Sequence, residues 1–307
     1  MRIGIDLGGT KIEAIAIDGD GTIKQRLRVA TPQGNYTATL EAIKKLVSTI
    51  EKNLPSGDPC SVGVGIPGAI SIASGKIKNA NSVCLIGQDL QADLASVLHR
   101  PVRLANDADC FALSEATDGA AKGNEVVFGV ILGTGVGGGI VNHGRLIHGP
   151  NSITGEWGHN PLPWPNPDEL PGPKCYCGKH GCNETFLSGP GLSNSYFIKT
   201  ALKLDARTIV QRASHGDTAA QQVMEQYEDR LARGLAAVIN ILDPHAIVLG
   251  GGLSNIKRLY KNVPVKLTKY VFSDRVDTLL TKAQHGDSSG VRGAAWLWPD
   301  NSGTINN

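Results

Sequence analysis

The chain lacks any basic run longer than two residues, and 30 lysines and arginines against 28 aspartates and glutamates leave a formal charge of only +2. That balance argues against a nucleic-acid or membrane surface as the main partner, since both are met by a patch of one sign. A secretory leader is not expected either. Arg2 is followed by one short apolar stretch, Ile3 to Leu7, and Asp6 interrupts it. No segment approaches the roughly 20 apolar residues of a bilayer span. The phosphate-loop spacing Gly-x-x-x-x-Gly-Lys-Ser/Thr is missing as well. Six cysteines in a leader-free chain of 307 residues point to a reducing, cytoplasmic compartment, with thiols buried or metal-bound rather than paired.

What is present allows two ordinary domains, because an apolar fraction of 41% supplies full cores. Three of the cysteines, Cys175, Cys177 and Cys182, fall within eight residues and follow His159. Three soft sulfurs and one imidazole make the donor set of a closed, tetrahedral structural zinc site. His180 competes with His159 for the fourth position but sits inside the short Cys177–Cys182 loop, where reaching the same ion strains the knuckle, so His159 is preferred. Glu156 and Glu184 flank the group and have no obvious structural duty. Cys60, Cys84 and Cys110 lie singly in apolar neighbourhoods and read as buried thiols.

Alternating residues predict strands over 2–7 and 12–18, a hairpin turn at Asp18–Gly21 and a third strand near 22–30. Leu40, Ile43, Val47, Ile50 and Leu54 recur at helical spacing, and Pro55 ends that helix. A strand at 61–66, a helix near 89–99, the strand 102–105 and a helix capped by Asn106 follow. The same order begins again after about residue 120 with the apolar strand Val126–Leu132. The fold class read from this is α/β, built from a duplicated unit. The expected domains are 1–118 and 119–288, with a last helix at about 289–300 packing back on the first.

Three glycine turns follow strand ends. Asp6-Leu7-Gly8-Gly9-Thr10-Lys11 offers close backbone approach to phosphate, a hydroxyl and a cation, while Asp6 is suited to hold a water on Mg²⁺. Gly133-Thr134-Gly135-Val136-Gly137-Gly138-Gly139 is denser and is assigned to phosphate, since glycine there costs backbone entropy without packing return. Gly250-Gly251-Gly252 precedes a helix expected to be capped by Ser254 or Asn255, whose N-terminus could meet a nucleotide. Asn106-Asp107-Ala108-Asp109 lies where a buried strand meets a helix. It can be a capping cluster, and Asp107 can also be a general base.

Together these strings resemble the ROK family of sugar kinases and related repressors. Those that carry the resemblance are Asp6–Lys11, Asn106-Asp107-Ala108, the stretch from Leu132 through Gly155-Glu156-Trp157-Gly158-His159, the pattern Cys-x-Cys-Gly-x-x-Gly-Cys-x-Glu, and Gly250–Gly252. The stretches 78–82, 158–164 and 285–293 are similar to its bacterial fructokinase branch. The resemblance implies an actin-like, ribonuclease-H-like ATPase fold with two domains and ATP in the cleft between them. It implies phosphoryl transfer from Mg·ATP to the primary 6-hydroxyl of a hexose, D-fructose first, with glucose, mannose or an N-acetylhexosamine as alternatives. Carried over by position, Asp107 is the base. Asn106, Glu156, His159 and Glu184 contact sugar, with Asn81 a further pocket residue, and His159 uses its other ring nitrogen for zinc. The turns at Gly8, Gly9, Thr10 and Lys11 and at Gly133, Thr134, Gly135, Gly137 and Gly138 hold the triphosphate. Gly250, Gly251 and Gly252 lie near adenosine. A homodimer is implied. A regulator of the same family would need a DNA-reading segment before the first strand, and that strand starts at Arg2. Asp109 departs from the family pattern, which commonly has Asn there; a second carboxylate close to Asp107 would raise the base's pKa.

Overall fold

The computed structural model describes residues 1–55, 59–78, 80 and 82–299. The chain divides into two compact units. The first holds described residues of 1–122, 144–154 and 287–299; the second holds 123–143 and 155–286. Where the sequence suggested one boundary near residue 118 and one return near 289, the chain also re-enters the first unit at 144–154.

In the first unit, β1 (Arg2–Leu7), β2 (Lys11–Ile17) and β3 (Ile23–Ala30) form an antiparallel meander. Helix α1 (Tyr36–Lys52) follows, with the Asn35 side chain accepting the Ala38 N–H at its start. Its apolar stripe of Leu40, Ile43, Val47 and Ile50 is buried on the sheet. Strand β4 (Ser61–Ile66) then pairs parallel to β1. A small hairpin, β5 (Ala69–Ile70) and β6 (Ile77–Lys78), leads to α2 (Leu90–Leu98) and β7 (Val102–Asn106), which pairs parallel to β4. The sheet order is β3-β2-β1-β4-β7. Helix α3 (Asp107–Thr117) leaves directly from β7.

The second unit restarts the pattern. Strand β8 (Val126–Leu132) turns into antiparallel β9 (Val136–Asn142). The two-residue strand β10 (Arg145–Leu146) belongs to the first unit. Short α4 (Asn183–Leu187), then α5 (Gly189–Thr200), α6 (Ala206–Ser214) and the long α7 (Thr218–Leu242) follow. Strand β11 (Ala246–Gly250) pairs parallel to β8, helix α8 (Leu259–Leu267) crosses over, and β12 (Leu279–Lys282) pairs parallel to β11. Both sheets therefore share one scheme: a central strand with an antiparallel neighbour on one side and two parallel strands on the other. This is the duplicated α/β fold read from the sequence. The core of the second unit gathers Phe128, Val130, Leu231, Leu235, Ile247 and Leu249, all fully buried.

Helix α9 (Ser289–Trp296) closes the first unit. Glycines permit its approach. A Cβ on Gly293 would stand 1.6 Å from the Cys110 carbonyl oxygen, and one on Gly63 would stand 1.9 Å from that of Ala294. Arg292 anchors the helix by pairing with Asp118 and donating to the Gly21 carbonyl at 2.8 Å. Among the described residues no helix is long and apolar enough to cross a membrane.

Candidate active site

In the first unit, β1, β4 and β7 run parallel and end level. Asp6 is in register with Gly65, and Asn106 with Ile66. The carboxyl ends of such strands are where open α/β sheets gather ligands. Asn106 caps α3, its side chain accepting the Asp109 N–H at 2.6 Å, and this places Asp107 on the first helical turn. Asp107 keeps part of its surface open to solvent. The protein around its carboxyl raises its pKa, against two backbone N–H groups, Ala108 at 2.9 Å and its own, that pull it down. A carboxylate shifted upward is better matched to taking a proton near neutral pH.

The carboxylate that feels Asp107 is Asp6. Its pKa is pushed up to about 6 by burial first, then by the charges of Asp107 and Glu13, with Lys11 offsetting part. Glu13 lies opposite Asp6 across the β1–β2 ladder, buried, and is held by Arg28 at 2.8 Å and Arg26 at 3.2 Å. A buried carboxylate whose ionisation a second carboxylate opposes is relieved by a divalent cation, so Asp6 fits the Mg²⁺ role in its chemistry. Asp109, the departure noted in the sequence, is buried. It lines a separate cavity of about 100 Å³ with Asn106, Ile70, His148, Ser152 and Thr154.

The glycine turns divide more finely than their sequence implied. Gly8 donates its N–H to the Lys11 carbonyl at 3.0 Å, and Gly133 donates to the Gly135 carbonyl at 3.0 Å. Those two amides close the turns, so a phosphate would meet the tips, Gly9–Thr10 and Thr134–Gly135. Gly137 and Gly138 are paired residues of β9, not turn residues. A Cβ on Gly138 would stand 2.8 Å from the Phe128 ring and 3.0 Å from the Gly155 carbonyl oxygen. Close packing explains that glycine, which moves it from the phosphate cradle to the core. Gly250 ends β11, and Gly251, at φ 77°, crosses the end of β8, where a Cβ would lie 2.5 Å from the Leu132 carbonyl oxygen. The segment after it, Gly252–Asn255, is a 3₁₀ turn and not the expected α-helix start, and Ser254 donates its hydroxyl to the Gly251 carbonyl at 2.7 Å.

Gly133-Thr134 and Gly252 are lips of one pocket of about 720 Å³ within the second unit. The start of α5, at Gly189-Pro190, and the face of α6 carrying Ala206, Arg207 and Val210 complete its wall. Gly189 donates to the Gly133 carbonyl at 2.8 Å, tying α5 to the turn. The volume and largely apolar lining suit a nucleoside. The α6 wall escaped the sequence reading, although Asp205, which accepts the Thr208 N–H at 2.7 Å, is an ordinary cap signal.

The cysteine knuckle is also in the second unit. Trp157 is buried edge-on to Phe128 and donates to the Gly137 carbonyl at 3.0 Å, which fixes the 3₁₀ turn Trp157–His159. Cys175 N–H donates to the Lys179 carbonyl at 2.8 Å, and Gly178 and Gly181 take positive φ in the knuckle. Cys175, Cys177, Cys182 and His159 bring their donor atoms within 4.8 Å of one another; His180 is not in the group. Cys175 Sγ lies 3.5 Å from His159 Nδ1, and Cys177 Sγ lies 3.6 Å from Cys182 Sγ. A tetrahedral Zn²⁺ with ordinary bond lengths sets sulfur–nitrogen spacings of about 3.5 Å and sulfur–sulfur spacings of about 3.75 Å. Burial, then the neighbouring sulfurs, push the Cys182 thiol up to about 12, so a thiolate there calls for a cation. Donor chemistry and spacing both fit zinc.

Two side chains around the knuckle were misread or missed. Glu184 is not idle structurally: its Oε2 accepts the Val136 N–H at 2.9 Å, and a Cβ on Gly135 would stand 2.7 Å from that oxygen. Tyr176 places its hydroxyl 2.8 Å from His159 Nε2. Glu156 is exposed at the start of the 157–159 turn. Asn81 lies outside the described residues.

The sequence model of the ROK family matches residues 2–301. The N-acetyl-D-glucosamine kinase of Yersinia enterocolitica is 40% identical over 301 residues, 97% of this chain and 99% of that protein. The ROK hexokinase from Thermus thermophilus superposes with a TM-score of 0.85 at 30% identity, covering 96% of each chain. A ROK family glucokinase from Streptomyces griseus, in complex with glucose and AMPPNP, gives a TM-score of 0.75 at 27% identity over 96% of this chain and 98% of that one.

Proposed function

The chain belongs to the ROK family, and we propose that it transfers the γ-phosphoryl group of ATP to the primary 6-hydroxyl of a hexose. The observation that carries this reading is the Asp107 carboxylate, raised in pKa and set by the Asn106 cap beside Asp6 at the level ends of three parallel strands. Asp107 accepts the proton of the 6-hydroxyl as the bond from that oxygen to phosphorus forms. The bond from phosphorus to the β–γ bridging oxygen breaks, and ADP leaves with the electron pair. Such a transfer needs positioning and charge neutralisation more than covalent help. Asp6 is proposed to hold magnesium through water, which supplies charge neutralisation when bound. The tips Gly9–Thr10 and Thr134–Gly135 take phosphate oxygens, and the pocket under α6 takes the nucleoside. Glu156, His159, Glu184 and Asn106 hold the remaining sugar hydroxyls. Cys175, Cys177, Cys182 and His159 Nδ1 would hold zinc, which in that closed set supplies rigidity alone. A homodimer is part of the same proposal.

D-Fructose is the sugar we favour, on the strings at 158–164 and 285–293. A second reading, N-acetyl-D-glucosamine, is favoured by the relatives that carry that name at 40% identity. Both present a primary hydroxyl to the same base. A coupled ADP-release assay across fructose, mannose, glucose and N-acetylglucosamine, with magnesium and ATP, separates them by kcat/KM. The highest value for fructose supports the first reading and the highest for N-acetylglucosamine the second. ADP release with none of the four, from zinc-loaded protein, refutes the kinase reading.

A further inference from the structure

We propose that the Tyr176 hydroxyl is a place-holder in the sugar site, bonded to His159 Nε2 until a substrate hydroxyl displaces it. The inference rests on the reading of His159, Glu156 and Glu184 as sugar contacts and adds a residue that competes for them. It begins with the tautomer of His159. Nδ1 faces Cys175 Sγ at 3.5 Å, within the donor quartet. An imidazole that gives Nδ1 to a cation carries its proton on Nε2 and has one N–H to donate. Tyr176 Oη, 2.8 Å away, takes that donor. The sugar is expected to need the same N–H.

The way Tyr176 is held marks the contact as detachable. The residue is 83% exposed, far from the burial at which a tyrosine ring serves a core. Its ring meets that of His159 itself edge to face, with centroids 5.0 Å apart at 88°. Its neighbours on both sides, Cys175 and Cys177, belong to the quartet, so the backbone is pinned while the side chain can rotate. Swinging out exposes almost no further apolar surface and gives up one hydrogen bond.

Removing the competing hydroxyl should tighten sugar binding by the worth of one net hydrogen bond, roughly two- to tenfold. Tyr176→Phe is the test, on protein whose zinc content is measured and matches wild type. The expected result is a fall of that size in the sugar KM, with kcat and the ATP KM changed by less than about twofold. A matching fall is expected in the sugar Kd, measured by calorimetry without ATP. A rise in KM and Kd would make Tyr176 a sugar contact and overturn the proposal; unchanged values overturn it too. Glu156→Gln and Glu184→Gln keep the two readings apart. If they raise the sugar Kd while Tyr176→Phe leaves it alone, the place-holder is wrong and the sugar site stands. If neither alters the Kd, the sugar site is wrong, and the place-holder falls with it.

Discussion

Glu184 bonds the turn proposed for phosphate while standing beside the cysteine knuckle, and substitution there measures whether the two are linked. Its Oε2 accepts the Val136 N–H at 2.9 Å, at the end of the turn whose tip, Thr134–Gly135, is assigned to phosphate. It also stands two residues after Cys182, a member of the proposed zinc quartet, on α4. A backbone hydrogen bond to a half-buried carboxylate is worth about 1.5–3 kcal/mol, a factor of roughly ten to a hundred in an equilibrium constant. Glu184→Ala removes the acceptor, and the freed turn should raise the ATP KM by up to that factor as well as raising the sugar KM. Glu184→Gln keeps an oxygen for the Val136 amide and loses the charge, so the sugar KM should rise while the ATP KM stays within about threefold. Initial rates across both substrates, on zinc-loaded protein of matched melting temperature, give all four constants. An unchanged ATP KM in Glu184→Ala refutes the link and returns Glu184 to the sugar alone.

Three further outcomes are expected. Asp107→Asn should cost about 10²- to 10⁴-fold in kcat, the usual worth of a general base, whereas Asp109→Asn should retain most turnover; the opposite pattern would move the base role to Asp109. Activity should fall as pH drops through about 6, where Asp6 takes up its proton. Magnesium favours the ionised form, so a higher magnesium concentration should shift that limb to lower pH; pH–rate profiles at two magnesium levels check this, and a limb insensitive to magnesium counts against the Asp6 assignment. Chelation of zinc should lower the melting temperature and weaken sugar binding, read by calorimetry without ATP; an unchanged sugar Kd in verified zinc-free protein contradicts the role given to the knuckle.

The elements legible in the sequence were those whose signal is local. Leu40, Ile43, Val47 and Ile50 carry helical spacing wherever α1 docks, and the Cys175–Cys177–Cys182 spacing marks donors that the structure does bring together, because thiolates share few other purposes at that density. The place of Asp107 was legible for a similar reason: a strand end, a cap and an acid are consecutive. What escaped depends on partners distant in the chain. A turn glycine and a strand glycine look alike in a string, so the string alone assigns Gly138 to phosphate, whereas the Phe128 ring and the Gly155 carbonyl leave no room for a Cβ there. Glu184 and Val136 are 48 residues apart, and no pattern within either segment announces their bond.

Tyr176 shows the same limit in its sharpest form. The sequence marks its two neighbours as ligands, so the residue between them reads as spacer. Its direction is decided by how the knuckle closes, with Cys175 accepting no freedom once its amide bonds Lys179 and its sulfur faces His159. The same closure that leaves His159 Nε2 outside the donor quartet delivers a hydroxyl onto it. A metal knuckle that orders its ligands also orders whatever lies between them, so the residue at that position is open to tuning substrate affinity without disturbing the metal. Exchanging Tyr176 alone should therefore alter sugar affinity at constant zinc content, whereas exchanging Cys175 or Cys177 should lose both together.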